Sequence, residues 1–146
     1  MVENCAAQRL GEEFNFPRFG LVFVVSGNVS ALDEHPWLLP IARELARNCF
    51  QEKAGRVEIR FGRRRMVVKD DIAHQDTTSI LANVNSRCPQ TNKRGFDLDL
   101  RAVPGGMGIS FSRRELEAHN GSLVYRATRN GIIRAVASWD DGKDSR

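Results

Sequence analysis

The chain has 146 residues, 41% hydrophobic and 27% charged, the balance of one ordinary globular domain with a single core. No run of about 18 apolar residues is present to form a membrane-spanning helix, and the acidic opening MVENCAAQRLGEEF lacks the apolar stretch of a secretory signal. A formal net charge of +4 is a weak pointer to an anionic partner, while three widely spaced cysteines (Cys5, Cys49, Cys88) argue against a zinc site and suit a reducing, cytoplasmic compartment. None of this bars the chain from being the cytoplasmic part of a longer, membrane-bound protein.

Residues 2–13 carry a short helical pattern that Asn15-Phe16-Pro17-Arg18 breaks. Residues 20–25 are a strongly β-prone run, closed by Ser26-Gly27-Asn28. LLPIARELARNCFQ, starting near Pro36 or Pro40, predicts a helix with Leu38, Ile41, Ala42, Leu45 and Cys49 as its apolar stripe. Glu44 and Asn48 are four apart and share another face. Two strands follow, 56–61 and 66–70. Val57, Ile59 and Phe61 line one side of the first; Met66, Val68 and Asp70 share a side of the second. Gly62-Arg63-Arg64-Arg65 joins them as a hairpin with a solvated basic tip.

Residues 72–104 lack a strong period and carry Asn, Thr, Ser, Pro and Gly, which in a compact domain reads as a lid. Gly105, Gly106 and Gly108 precede a helix over roughly 109–119. Glycines at that place let a backbone approach a phosphate, and the first helical turn aims its N–H groups at an anion. Strands 122–128 and 131–138 close the chain as a hairpin around Arg129-Asn130-Gly131, with its Asn-Gly turn signal. The order predicts an α+β fold: a two-layer α/β sandwich with one mixed, mostly antiparallel sheet and helices on one face. It is expected as a single domain over 1–146, with the lid at about 72–104.

Three stretches together resemble the ATP-binding catalytic domain of bacterial sensor histidine kinases, in the ATPase superfamily shared with gyrase, a heat-shock chaperone and mismatch-repair proteins. Gly106-Met107-Gly108-Ile109, followed by Glu117-Ala118-His119-Asn120-Gly121, matches the family's G-L-G-L turn and its helix ending E-A-H-G-G. Glu44-Leu45-Ala46-Arg47-Asn48 stands at the N box, and Val68-Lys69-Asp70-Asp71 at the strand whose final Asp opens the G1 box. The resemblance implies a histidine-kinase-like ATPase fold, ATP and Mg2+ as cofactors, and transfer of the γ-phosphoryl to a His on a separate dimerisation domain. A response regulator is the implied downstream partner; neither nucleic acid nor membrane insertion of this domain is implied.

Carried over residue by residue, Gly106 and Gly108 cradle the triphosphate, and Asn48 serves the nucleotide as its magnesium ligand. Asp70 accepts a hydrogen bond from the adenine amino group, and Glu44 is the catalytic residue, orienting or deprotonating a group near the metal. His119 reads as a cap or packing residue, His35 and His74 as surface residues, and Tyr125 and Trp139 as core or interface.

The family's G1 box reads D-x-G-x-G, whereas Asp70-Asp71-Ile72-Ala73-His74 holds no glycine, and Ile72 and His74 crowd a turn beside adenine. Gln51 stands where the family often has a basic residue. The chain carries no helical hairpin with an acceptor His, so it is expected to be a catalytic half only. Two other readings stay open: a degenerate, non-catalytic pseudokinase module acting through protein contacts, and a stand-alone anti-sigma-factor-type serine kinase.

Overall fold

The computed structural model describes residues 6–86 and 108–140. Five strands form one sheet in the order β1-β2-β3-β5-β4. β1 (Val22–Gly27) runs parallel to β2 (Arg56–Gly62), since the chain between them crosses over through α2 (Ala31–Glu34) and α3 (Leu38–Gln51). β3 (Arg65–Ala73) returns antiparallel to β2 and pairs on its other side with β5 (Ile132–Ser138), which is also antiparallel to β4 (Ser122–Ala127). The other α-helices among the described residues are α1 (Ala6–Phe14), α4 (Thr77–Val84) and α5 (Gly108–Ala118), with a short 3-10 turn at Pro17–Phe19.

Strand alternation decides where the core sits. Val57, Ile59 and Phe61 of β2, Met66 and Val68 of β3, Leu123 of β4, and Ala135 and Ala137 of β5 are all buried, while their sequence neighbours are not. The apolar stripe of α3 (Leu38, Ile41, Ala42, Leu45, Ala46) closes over this face, with α5 beside it. The fold is therefore the mixed two-layer α+β sandwich expected from the element order. Pro40 sits in the first turn of α3, where its missing N–H costs no helical bond.

α1 is clamped to the rest by charge and by aromatic packing. Glu13 receives the Arg43 Nε–H on both oxygens at 3.0 Å, and Phe14 stacks on Phe50 with its edge to Phe23, centroids 5.5 Å apart in both pairs. Both sheet edges are shielded by asparagine side chains. Asn15 accepts from the Phe23 N–H of β1, and Asn85 takes both backbone groups of Tyr125 in β4, accepting its N–H at 2.8 Å and donating to its carbonyl at 3.0 Å.

Helix α5 ends on a double backbone cap. The Gly121 N–H bonds the Leu116 carbonyl and the Asn120 N–H that of Glu117, with Asn120 at φ 59°. The sequence Glu117-Ala118-His119-Asn120-Gly121 thus has a mechanical reason: Asn tolerates the left-handed turn, and Gly121 passes against β5. A Cβ on Gly121 would lie 2.0 Å from the Ser138 carbonyl oxygen.

The structure corrects the expectation of weak order after residue 72. β3 continues to Ala73, and α4 follows, its N-cap Asp76 accepting from the Ser79 N–H at 3.3 Å. Arg113 of α5 donates to the carbonyls of Val84 and Ser86, holding the α4 C-terminus. The weak hydrophobic period of this segment hid a helix that leans on caps and an arginine rather than on a buried stripe; none of its residues is fully buried. Residues 87–104 of the expected lid, and Gly105 and Gly106, lie outside the described residues.

Candidate functional site

At the inner face of the sheet, α3, α4, α5, β3, β4 and β5 line a half-open cavity of about 290 Å³. Its walls are mostly apolar (Leu45, Val68, Ile80, Val84, Ile109, Ile133), with the polar groups of Asn48, Glu52, Asp70, His74, Asn83 and Tyr125 among them. That is the composition of a small-molecule site.

The two predicted residues Asn48 and Asp70 meet in this cavity. Asn48 arrives from the middle of α3 because it lies three residues on from Leu45, which also lines the wall. Asp70 arrives as the next inward residue of β3 after Met66 and Val68. The Asp70 Oδ1 accepts from the Ile72 N–H at 2.9 Å, a local Asx turn that fixes the carboxylate, and the Cys49 thiol also hydrogen-bonds to it. Asn48 hydrogen-bonds the Tyr125 hydroxyl.

Burial sets the electrostatics. It raises the Asp70 carboxyl above its ordinary value, against the opposing hydrogen bonds from Ile72 and Cys49. Burial, and then the Asp70 charge, push the Cys49 thiol well up, so it is a neutral donor and not a reactive thiolate. The Tyr125 hydroxyl is likewise raised, chiefly by burial.

A carboxyl whose value is raised holds its proton more tightly folded than unfolded. Stability from this group is complete below the ordinary carboxylate range and falls as pH rises through the raised value. Asp70→Asn, which keeps an acceptor for Ile72, is therefore expected to melt at or above the wild-type temperature near neutral pH, the gap closing towards about pH 4. Thermal unfolding at both pH values checks this; a variant less stable than wild type at neutral pH contradicts it.

Glu44 and Gly108 are brought together elsewhere, where α3 touches the start of α5. Glu44 is 4% exposed, and its Oε2 lies 2.6 Å from Nη1 of Arg47, itself 2% exposed. A Cβ on Gly108 would come within 3.1 Å of the Glu44 Oε1, a tight approach that the carboxylate would have to ease by a small shift. Glu44 does not line the cavity.

Two histidines expected at the surface are half-buried instead. His74 lines the cavity, its backbone N–H on the Gly131 carbonyl at 3.0 Å; His35 packs near Trp37 and Trp139. His119 is the packing residue expected, its ring flat on Trp37 with centroids 3.7 Å apart. Trp139 is in the core, as expected; Tyr125 proves to be a cavity wall. Cys49, Glu52, His74, Asn83 and Tyr125 are wall residues with polar groups that neither the periodicity nor the resemblance singled out for the site. The signal for Tyr125 was its place two after the inward Leu123.

No glycine-rich turn leaves the sheet after Asp70. The pairing of β3 with β5 skips irregularly between Lys69 and Ala73, then resumes at Ala73 opposite Ile132. Gly131, at φ 83°, is what allows the hairpin tip to close on His74, since a Cβ there would lie 2.4 Å from the His74 carbonyl oxygen. Among the described residues no cluster of three or more His, Cys, Asp or Glu could hold a metal ion, and no helix is long and apolar enough to cross a membrane.

No protein-family model matches the chain, and no curated protein does. Solved structures do. A histidine kinase of Acinetobacter baumannii, AdeS, is similar over 94% of this chain at a TM-score of 0.53 and 11% identity. The catalytic domain of the histidine kinase ThkA, in a nucleotide-free form, is similar over 91% at a TM-score of 0.51 and 14% identity. The chain spans 64% of the AdeS chain and 87% of the ThkA chain. The fold is that of histidine-kinase catalytic domains, as the three sequence stretches implied.

Proposed function

We propose that the chain binds ATP with Mg2+ and acts as the catalytic domain of a two-component sensor histidine kinase, passing the γ-phosphoryl to a His on a separate dimerisation domain. The observation that carries this reading is the meeting of Asn48 and Asp70 in one half-open, mainly apolar cavity of about 290 Å³. That volume is near the lower end for small-molecule sites, roughly 300 Å³, and suits a purine ring with the sugar and phosphates extending outward. Asp70 is an acceptor fixed in the wall, fitted to an exocyclic amino group. The Asn48 amide can donate to the Tyr125 oxygen while its own oxygen faces a cation, and magnesium asks for few protein ligands. Magnesium neutralises phosphate charge when bound; positioning by this chain supplies the remainder. Gly106 is proposed to complete the phosphate side, with residues through about 104 as the lid.

A second reading is favoured by specific observations. Glu44 is engaged by Arg47, and the His74 side chain reaches the cavity where the family has glycine. Both suit a pseudokinase that keeps the cavity and loses phosphotransfer. The two readings part on one assay. With labelled Mg·ATP and a His-bearing helical hairpin from its own kinase supplied in trans, the first gives acid-labile phosphate on the hairpin. No label should appear on the chain alone, since His35 and His119 are held in aromatic packing and His74 in the cavity. Label that never reaches the hairpin, despite nucleotide binding, supports the pseudokinase.

A further inference from the structure

Among the described residues no helix covers the side of the sheet away from α3 and α5, and the charge on that side is one-sided. By strand alternation Arg56, Arg60, Arg65, Lys69, Arg126 and Arg134 stand on this face, against the two acids Glu58 and Asp71. That excess equals the formal +4 of the whole chain. Pairing places Arg126 opposite Arg134 and Arg134 opposite Lys69, three like charges side by side on adjacent strands. Such pairs destabilise a sheet. Relief is slight: Lys69 has Glu58 at 3.8 Å, while Arg56, Arg60, Arg65 and Arg126 make no ion pair among the described residues. The buried Nε of Arg134 finds no acceptor there either.

Between the cations runs a short apolar row, Val67 opposite Val136 and Val136 opposite Val124, the last 37% exposed. At one corner, the turn from Phe16 to Leu21 exposes Phe19 at 78% and Phe16 at 47%, with Arg18 between them. The turn meets this face at Gly55. The Gly20 carbonyl and the Asp71 carboxylate both lie within 3.4 Å of the point where a Gly55 Cβ would be.

We propose that this open face docks on the surface of an anionic phospholipid bilayer, with Phe19 entering the headgroup boundary. The cations are spread over four strands of a broad surface and not aligned in a groove, and the apolar groups between them are valines. A single-stranded nucleic acid asks for aromatic stacking platforms spaced along a basic groove, whereas the exposed Phe16 and Phe19 sit together at one corner, off the strands that carry the cations. Basic residues interleaved with apolar ones, plus an exposed aromatic beside an arginine, are what an anionic interface binds. Docking is peripheral, since no described helix can span a bilayer. It leaves the cavity on the opposite face open to ligand, so it stands apart from the nucleotide reading.

The test is co-sedimentation with vesicles of phosphatidylcholine alone and of phosphatidylcholine mixed equally with phosphatidylglycerol. The protein is expected to pellet with the mixed vesicles only, and to be released by about 0.5 M salt. Each basic residue near the surface strengthens partitioning roughly fivefold, so combined Arg60→Glu, Lys69→Glu and Arg126→Glu should weaken it by well over a hundredfold. Circular dichroism confirms that this variant is folded. Phe19→Trp adds an emission expected to shift to the blue with mixed vesicles and to stay put with polyglutamate. No pelleting with the anionic vesicles, or unchanged pelleting of the triple variant, overturns the proposal. An equal shift with polyglutamate also overturns it, in favour of an acidic polypeptide.

Discussion

Replacing Glu44 by alanine is expected to lower stability by about 3–5 kcal/mol, the cost of leaving a buried charge without its close partner. The surviving guanidinium of Arg47 is 2% exposed, and Glu13, a further ion-pair partner, is 3.9 Å away. Glu13 at that distance holds the loss towards the lower figure. Converting both residues, Glu44→Met with Arg47→Met, should recover most of it, because two well-packed apolar chains avoid the desolvation of both charges. Urea unfolding of the two variants measures this. The outcome also bears on mechanism: a carboxylate committed to Arg47 one turn along α3 must leave that pair to act as a base. Wild-type stability in Glu44→Ala would mean that the pair is dispensable and the carboxylate available for catalysis.

Gly121→Ala is expected to cost about 3 kcal/mol or more, at the upper end for overpacking. The new Cβ would meet the Ser138 carbonyl oxygen at 2.0 Å and the Trp139 Cα at 2.9 Å, both backbone atoms that no rotamer change can move. Either the α5 cap opens or β5 shifts, and β5 carries Ala135 and Ala137 of the core. Gly62→Ala is the control. Nothing lies within 4 Å of its Cβ, and its stability should stay within about 0.5 kcal/mol of wild type. Thermal melts of the pair suffice; equal melting temperatures would remove the close approach from the account.

Much of this architecture was legible because periodicity was strong where packing is one-sided. Val57, Ile59 and Phe61 alternate, and the stripe of α3 repeats at helical spacing, so strand and helix followed directly. The meeting of Asn48 and Asp70 was legible only through resemblance, since no local rule brings α3 and the end of β3 to one cavity. What stayed hidden has physical causes. α4 is held by the Asp76 cap, Asn85 and Arg113, polar anchors that leave no apolar period. α2 is a four-residue helix, too short to show a period. The commitment of Glu44 to Arg47 stayed hidden because the burial of both side chains is a tertiary fact.

Calorimetric titration with Mg·ATP decides whether the cavity between α3 and β3 is a nucleotide site. Saturable but weak binding is expected, with poor discrimination between ATP and GTP, because the stretch after Asp70 holds no glycine to give adenine room. Asn48→Ala should abolish the magnesium dependence. Asp70→Asn should cost less than roughly 1.5 kcal/mol, the low end for a hydrogen bond to a charged group, since Ile72 and Cys49 already share that carboxylate. Ile72→Gly with His74→Gly should raise both affinity and preference for ATP. Absence of heat with ATP, ADP and GTP, in the wild type and in the glycine-restored variant alike, would contradict the account.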